Sequence, residues 1–389
     1  MELREGYIKT EVGTLPVDWE LKPFYKITDA ITCGVAATPK YVDESEGKPF
    51  LSASHVQNGK VIPLDYKYIP VELYNQITKH NKPEKGDILY TRVGAGIGEA
   101  GVIDFDLDFA IYVSLTLIKP KKNLNSYYLK SLLNSDYYRF LAKRDQFAGG
   151  GVQNLNVGVV REFPIPIPPT IEEQIAIATA LSDADALINC LEKLIAKKRN
   201  IKQGAMQKLL QPKEGWEVKK LGEIAEIYQP QTISQDVFVE DGYLVYGANG
   251  VIGKFHLFNH ETWQTTITCR GSTCGTVNRT IDKSWITGNA MVMNVDENRN
   301  IDKLFFYYIL TKQDFSQCIT GSGQPQIVRS PLFDFTTSIP KSKEKQKEIA
   351  FILSDMDAEI NALETKLEKY RKIKLGMMQN LLTGKIRLI

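Results

Sequence analysis

The sequence predicts an α+β fold in which two strand-rich modules alternate with two long helices. Three observations predict it. Residues 174–211 and 346–383 align without a gap, 172 positions apart, with 21 of 38 positions identical. Both copies carry apolar residues at the three- and four-residue spacing of a helix with a single apolar seam. The two remaining segments show short β-like runs broken by Gly and Asn, with matching phrases in the same order. Internal repetition on this scale dictates the architecture before any single motif does.

The boundaries follow from these signals: a first module over 1–165, a central helix over 166–211, a second module over 212–340 and a distal helix over 341–389. Each module opens on one phrase, Trp19-Glu20-Leu21-Lys22 and Trp216-Glu217-Val218-Lys219. The two tryptophans read as core anchors. Three glycine- and amide-rich loops recur: ASHVQNGK (53–60) beside YGANGVIGK (246–254), TRVGAGIG (91–98) beside CRGSTCGT (269–276), and GGGVQNLN (149–156) beside GSGQPQIV (321–328). The second pair aligns with an arginine, Arg92 or Arg270, at its second position. A Tyr/Phe-rich helix precedes each third loop; Tyr127, Tyr128, Tyr137 and Tyr138 there read as packing residues.

In the helices, Leu181, Ala184, Ile188, Leu191 and Ile195 form one seam, and Leu353, Met356, Ile360, Leu363 and Leu367 the other. A proline stretch leads into each copy, PIPIPP at 164–169 and Ile339-Pro340. Proline fixes the chain ahead of a helix and cannot continue a ladder. Ser182 and Asp183 could cap, but the periodicity already begins near Ile175, so the start lies upstream. Pro212 and Gly384 stand where the copies should stop. About 40 residues of helix span roughly 60 Å. Such a helix cannot bury its seam alone, whereas two copies in one chain can bury theirs on each other. The basic tails (Lys197, Lys198, Arg199 and Lys202; Lys369, Arg371, Lys372 and Lys374) read as a solvated face. Gly204 and Gly376, late in each helix, read as packing contacts, with partner docking as the alternative.

Composition excludes several classes. The chain is 43% hydrophobic and 24% charged, which is ordinary for a globular protein and carries no disorder signature. It holds no run of 18 apolar residues and no apolar stretch after MELREGYIKTEVG, so a membrane span and a signal peptide are not expected and a cytoplasmic location is. Five cysteines without a framework spacing suggest reduced thiols. A net charge of +2 is low for a protein that wraps nucleic acid by itself.

Catalytic motifs fail on inspection. GIGEAG (96–101) has dinucleotide-site spacing, but a strand-like run follows where a helix is required, so a turn is expected. GANGVIGKF is one residue short of a phosphate-binding loop. FAGGG (147–151) lacks the Asn/Asp-Pro-Pro-aromatic tetrad that an adenine methyltransferase would add. His256, His260, Cys269 and Cys274 lack zinc-knuckle spacing. Asp104, Asp106 and Asp108 alternate as on one face of a strand, without a matching Glu-x-Lys. No catalytic or metal-binding residues are therefore assigned. The polar loops remain, carrying the side chains whose donors and acceptors match base edges, Arg for guanine and Asn or Gln for adenine. Glycine there lets backbone approach a phosphate closely.

The duplicated L-S-D-x-D-A…K-x-R-x-I-K-x-G-x-M-Q-x-L-L, the W-E-[LV]-K openings, the arginine-glycine loops and the lead-ins PIPIPP-T-I-E-E-Q-I and E-K-Q-K-E-I together resemble the specificity subunit of type I restriction-modification systems. The resemblance covers essentially the whole chain. It implies two target recognition domains, each followed by a long helix, with the helices paired as an antiparallel coiled coil of pseudo-two-fold symmetry. Each domain would read one half of a bipartite, asymmetric site in double-stranded DNA. The helices would set the spacer and dock two modification (methyltransferase) subunits; restriction subunits would add translocation and cleavage. S-adenosylmethionine, ATP and magnesium would belong to those partners, and this chain would hold no cofactor. By position, the DNA-binding candidates are Ser54, His55, Gln57, Asn58, Arg92, Gln153 and Asn154 in the first module. In the second they are Asn249, Arg270, Ser272, Thr273, Gln324, Gln326 and Arg329. A glycine-loop arginine can equally be a local clamp on backbone carbonyls. Two competing readings stand: a coiled-coil assembly scaffold that reads no DNA, and an enzyme with an unrecognised site.

Overall fold

A computed structural model describes residues 5–149, 152–321 and 325–388. The chain divides into two compact units, 1–191 with 366–389, and 192–365. Each unit holds one strand-rich head and part of each long helix. The central helix runs Ile171–Leu209 and the distal helix Lys343–Leu381, 39 residues each. Both start well upstream of the Ser-Asp motif. Thr170 Oγ1 accepts the Glu173 amide, and Ser342 Oγ accepts the Lys345 amide, so a hydroxyl satisfies one free donor at each start.

The first head is built on a six-stranded sheet ordered Thr28–Cys33, Leu115–Pro120, Ile88–Thr91, Ala100–Val102, Lys60–Val61, Val56–Gln57. A three-stranded sheet, Ala110–Ile111, Gly47–Leu51 and Lys67–Pro70, stands with it. The second head repeats this plan in shorter form. Its sheets are ordered Glu226–Tyr228, Ala290–Asn294, Thr265–Thr268, Val277–Arg279, and Gly250–Phe255, Tyr243–Gly247, Trp285–Ile286. Each smaller sheet contains one parallel pair, Ala110–Ile111 on Gly47–Leu51 and Trp285–Ile286 on Tyr243–Gly247. The hairpin Val56–Val61 is an addition of the first head, joined to the sheet edge where Lys60 faces Val102.

The opening and lead-in phrases are two sides of one feature. Glu20–Pro23 pairs antiparallel with Pro164–Ile167, and Trp216–Lys220 with Thr336–Pro340. The proline stretch is thus a strand rather than only a spacer. A two-stranded ribbon tolerates alternate prolines because only every second amide must donate across the pair. Trp19 is buried, and half-buried Trp216 meets the Phe305 ring edge-on. Tyr128 and Tyr138 are buried and donate to the carbonyls of Pro166 and Pro164 on the same ribbon. Tyr127 is exposed.

Two buried glutamines join helix to head. In the first unit Gln174 Oε1 accepts the Asn125 amide (2.9 Å), and its Nε2 donates to Asn123 O (3.4 Å). In the second, Gln346 Oε1 accepts the Asp302 amide (2.8 Å), and its Nε2 donates to Asn300 O (3.2 Å) and Pro340 O (2.9 Å). Asn125 and Asp302 are themselves the caps of the aromatic-rich helices Ser126–Leu133 and Lys303–Thr311. One amide side chain therefore ties the first turn of a long helix to the cap of a head helix, twice.

The helical segments run antiparallel within each unit. In the first, Leu181 and Ile177 share a core with Leu381 and Leu382. In the second, Leu353 and Ile349 share one with Leu210. The basic tails do more than face solvent. Lys374 Nζ meets Asp185 at 2.5 Å, and Lys202 pairs with Asp357. Lys198 meets Glu359 at 2.6 Å and Arg199 meets Glu364 at 2.5 Å. Asp357 also accepts the Tyr308 hydroxyl at 2.7 Å. Asp185 and Asp357 are the second aspartates of the repeated L-S-D-x-D-A, and Lys374 and Lys202 the lysines of I-K-x-G. Each motif of one copy binds the other motif of the opposite copy.

Residues 103–109, expected as strand, form no ladder. Their alternation is real: Phe105 and Leu107 turn towards an apolar cluster, while Asp106 meets Lys85 (3.2 Å) and Asp108 meets Lys82 (2.5 Å). Alternation fixes which side faces the core, not whether a neighbouring strand is present. Gly204 and Gly376 also depart from expectation. A Cβ at either would meet nothing within 4 Å among the described residues, so packing inside this chain does not explain them. All five cysteines are free thiols.

Gln346→Leu leaves the Asp302 amide and two carbonyls without their partner, at about 1–3 kcal/mol per orphaned group. Calorimetry should show a lower unfolding midpoint for this variant; an unchanged midpoint would remove the glutamine from the joint. A second expectation concerns pH. Burial holds the His260 imidazole below its ordinary pKa, while its Nε2 pairs with the Tyr228 hydroxyl at 2.8 Å. The folded state thus resists protonation there more than the unfolded state does. Its contribution to stability is complete above the unfolded pKa of about 6.5 and declines as pH falls towards the depressed folded value. His260→Gln should flatten the decline in melting temperature between pH 7 and 5, and a parallel decline in the variant would exclude this group as the source.

Candidate nucleic-acid interface

The candidate loops converge at one edge of each head. In the second head the turn Ala248–Asn249 closes the hairpin of Tyr243–Gly247 and Gly250–Phe255, with Gly250 at φ 118. The second loop is fastened to it: Thr273 Oγ1 donates to Asn249 Oδ1, and Asn278 Nδ2 donates to Ala248 O at 3.4 Å. The third loop is fastened to the second, since Gly271 N donates to Pro325 O (3.1 Å) and Ile327 N to Cys269 O (2.9 Å). The result is a braced edge exposing Asn249, Arg270, Ser272, Thr273 and Gln326. Arg329 is exposed at the start of the short helix Arg329–Asp334, its guanidinium 5.9 Å from the Phe333 ring. Gln324 lies outside the described residues.

The first head braces its second and third loops in the same way. Leu155 N donates to Arg92 O (2.8 Å) and Gly94 N to Gln153 O (3.4 Å). Its added hairpin turns at Asn58 and Gly59, both at positive φ, and Gly59 N donates to Glu99 Oε1 at 2.9 Å. Ser54, Gln57, Asn58 and Gln153 are exposed, and Asn154 is half-buried. His55 and Arg92 are turned inward. His55 is buried, with Nδ1 accepting the Ser52 amide at 3.0 Å. Arg92 is 8% exposed; its Nε donates to Leu155 O (2.9 Å) and its Nη1 to Val113 O (3.0 Å). Arg92 thus takes the carbonyl-clamp position.

The backbone also corrects the alignment of the second loops. The turn bonds Gly98 N to Thr91 O and Ile97 N to Gly94 O in the first head match Gly275 N to Thr268 O and Cys274 N to Gly271 O in the second. The isolated bridges Val93–Asn154 and Arg270–Gln326 match likewise. Thr91 therefore corresponds to Thr268, Arg92 to Cys269, and Val93 to Arg270. The sequence suggested a register one residue away, because matching two arginines looked better than matching Arg92 to a cysteine. Cys269 is fully buried, and burial pushes its thiol up to about 11. The place filled by the Arg92 clamp is core in the second head.

The positions that sequence reasoning passed over are the joints. Gln174 and Gln346 had one signal, being the first identical pair of the repeat. Glu99 and Ser114, which hold the first-head loops through Gly59 N and Ala53 N, had none. Among the described residues no group of three or more His, Cys, Asp or Glu is placed to hold a metal ion, and no helix is long and apolar enough to cross a membrane.

Comparison with known proteins matches this geometry. The chain shows 26% identity over 98% of its length and 97% of theirs to the putative type I restriction enzyme MjaX specificity subunit of Methanocaldococcus jannaschii. Identity is also 26% to the MjaVIII specificity subunit of the same organism, over 96% of this chain and 94% of that one. In fold it is similar to the crystal structure of a type I restriction-modification S subunit from M. genitalium, with a TM-score of 0.66, 18% identity and 98% of each chain covered. The profile of the type I restriction modification DNA specificity domain matches twice, over residues 16–202 and 213–372. Two matched domains spanning nearly the whole chain, each one head with its long helix, make this protein a member of the type I restriction-modification DNA specificity family.

Proposed function

We propose that this chain is the non-catalytic, DNA-reading subunit of a type I restriction-modification complex. Each head reads one half of a bipartite, asymmetric duplex site, and the helix pair sets the unread spacer. One observation carries the reading. The two heads brace their second and third loops by the same backbone bonds and their first loop by different side-chain bonds, yet expose different side chains there, Gln57, Asn58 and Gln153 in one, Asn249, Arg270 and Thr273 in the other. A common frame with unlike polar edges suits two unlike half-sites. The domain limits 1–165, 166–211, 212–340 and 341–389 are those of a reading head, a ruler, a second head and a second ruler.

The helices present a surface suited to two equivalent modification subunits. Gly204 and Gly376 leave bare backbone at matching places. Ile201 and Ile373, one turn earlier, are 47% and 43% exposed. A helix-interior glycine costs about 1 kcal/mol relative to alanine, and an exposed isoleucine gains nothing from water. A bare stretch beside an apolar knob, in both copies, suits a partner helix that packs closely. S-adenosylmethionine, ATP and magnesium would be held by those partners and by restriction subunits, in the cytoplasm where the DNA is.

Co-expression with the modification subunit and genome-wide mapping of methylated adenines tests the reading. A bipartite motif of fixed spacing is expected, and absence of any motif rejects it in favour of a scaffold that reads no DNA. Exchanging residues 212–340 for another head should alter one half-site only; change in both would refute the division of labour. For docking, Gly376→Leu should leave the melting temperature of the free chain within a few degrees while weakening capture of the modification subunit at least tenfold, as seen by light scattering. Undiminished capture would remove this face from the interface.

A further inference from the structure

The corrected loop register separates two arginines that the sequence treats alike. Arg92 is folded into the first head, with two of its donors on the carbonyls of Leu155 and Val113. Arg270 is exposed, and its backbone counterpart in the first head is Val93. The exposed arginine stands on a segment held on both sides, by Ile327 N on Cys269 O and by Gly271 N on Pro325 O. Asn249 and Thr273 are hydrogen-bonded to each other beside it. Arginine at a fixed backbone position presents a planar fork of donors, and in duplex DNA that fork matches O6 and N7 of guanine in the major groove. A braced loop limits how far the fork can wander, which makes it a reader of one base rather than a mobile phosphate contact.

We propose that Arg270 specifies a guanine in the half-site read by the second head, and that the first head has no arginine reader at the matching place. Arg92 there is a positioning residue that holds the second and third loops together. Among the first head's exposed candidate positions, Gln57, Asn58 and Gln153 carry amides, which favour adenine contacts. The two heads therefore differ in the kind of base they can fix, a difference produced by a one-residue offset on a shared frame. This inference rests on the proposed function.

The test uses the full chain assembled with its modification subunit, with methylation mapped for the parent protein, Arg270→Ala and Arg92→Met. In Arg270→Ala, one G·C position of one half-site should become degenerate, discrimination there falling by about tenfold to a hundredfold. The other half-site and the spacer should stay unchanged, as should the melting temperature, because the side chain is exposed. An unchanged motif, degeneracy at an A·T position, or a melting temperature lowered by more than a few degrees would each overturn the assignment. Arg92→Met should lower the melting temperature, and any methylation that remains should keep the parental motif. A changed base in the first half-site would show Arg92 to be a reader and overturn its positioning role. If the parent protein yields no bipartite motif, the proposed function itself fails. A parental bipartite motif that Arg270→Ala leaves intact sinks only this inference.

Discussion

The apolar seam of the long helices is the constraint on which the rest depends. A 39-residue helix with Leu181, Leu191 and Ile195 along one side cannot leave that side in water, and Leu353, Ile360 and Leu367 face the same demand. Each such side chain contributes roughly 1.5–3 kcal/mol when buried. The cross-helix ion pairs, partly open to solvent, contribute less than about 1 kcal/mol each. The seam therefore supplies the stability and the charges supply direction. Asp185 with Lys374 and Asp357 with Lys202 can form together only in the antiparallel arrangement, with the motifs of one copy against those of the other. That reciprocity explains why the repeat conserves both L-S-D-x-D-A and I-K-x-G between its copies, while positions between them drift.

The heads are attached to this frame by non-local contacts of small size. Gln174 and Gln346 each satisfy the cap of a head helix, and the Trp-Glu strand closes on the proline strand that runs into the helix. Each head is thus held at both ends of its chain segment. In each head the Trp-Glu strand and the closing proline strand are neighbours, so the loops between them can change without loosening the base.

The helices were legible in the sequence because their cause is local. Periodicity, lead-in prolines and stop signals all lie within a few turns. The identity of the heads as diverged copies was legible too, through phrases repeated in order. The lateral partners of each loop were not. Whether TRVGAGIG matches CRGSTCGT at offset 178 or TCRGSTCG at 177 turns on backbone bonds to residues some 60 positions away, such as Leu155 N to Arg92 O. Similarity of side chains favoured the wrong offset, because a buried clamp and an exposed arginine look identical in one-letter code. The basic tails were legible only in part for a related reason: Lys197, Lys369 and Lys372 are exposed as expected, whereas Lys202 and Lys374 pair with the facing helix. A lysine on a helix reads as solvated until the facing helix places an aspartate opposite it.

The low net charge follows from the same division of roles. With +2 overall, the chain carries little net positive charge for phosphate neutralisation, on which non-specific affinity depends. Part of the helices' positive charge is already committed, Lys198, Arg199, Lys202 and Lys374 to carboxylates across the seam. On the proposed reading, the chain contributes discrimination at its loop edges, and its partners contribute the positive field that clamps the duplex. A reader with weak intrinsic affinity gains from this arrangement. On that reading neither head would dwell on a lone half-site, and binding would become strong only when both half-sites match. On the same reading, selectivity for the spacer would come from the stiffness of the paired helices, and selectivity for each half from a few exposed side chains on a braced edge.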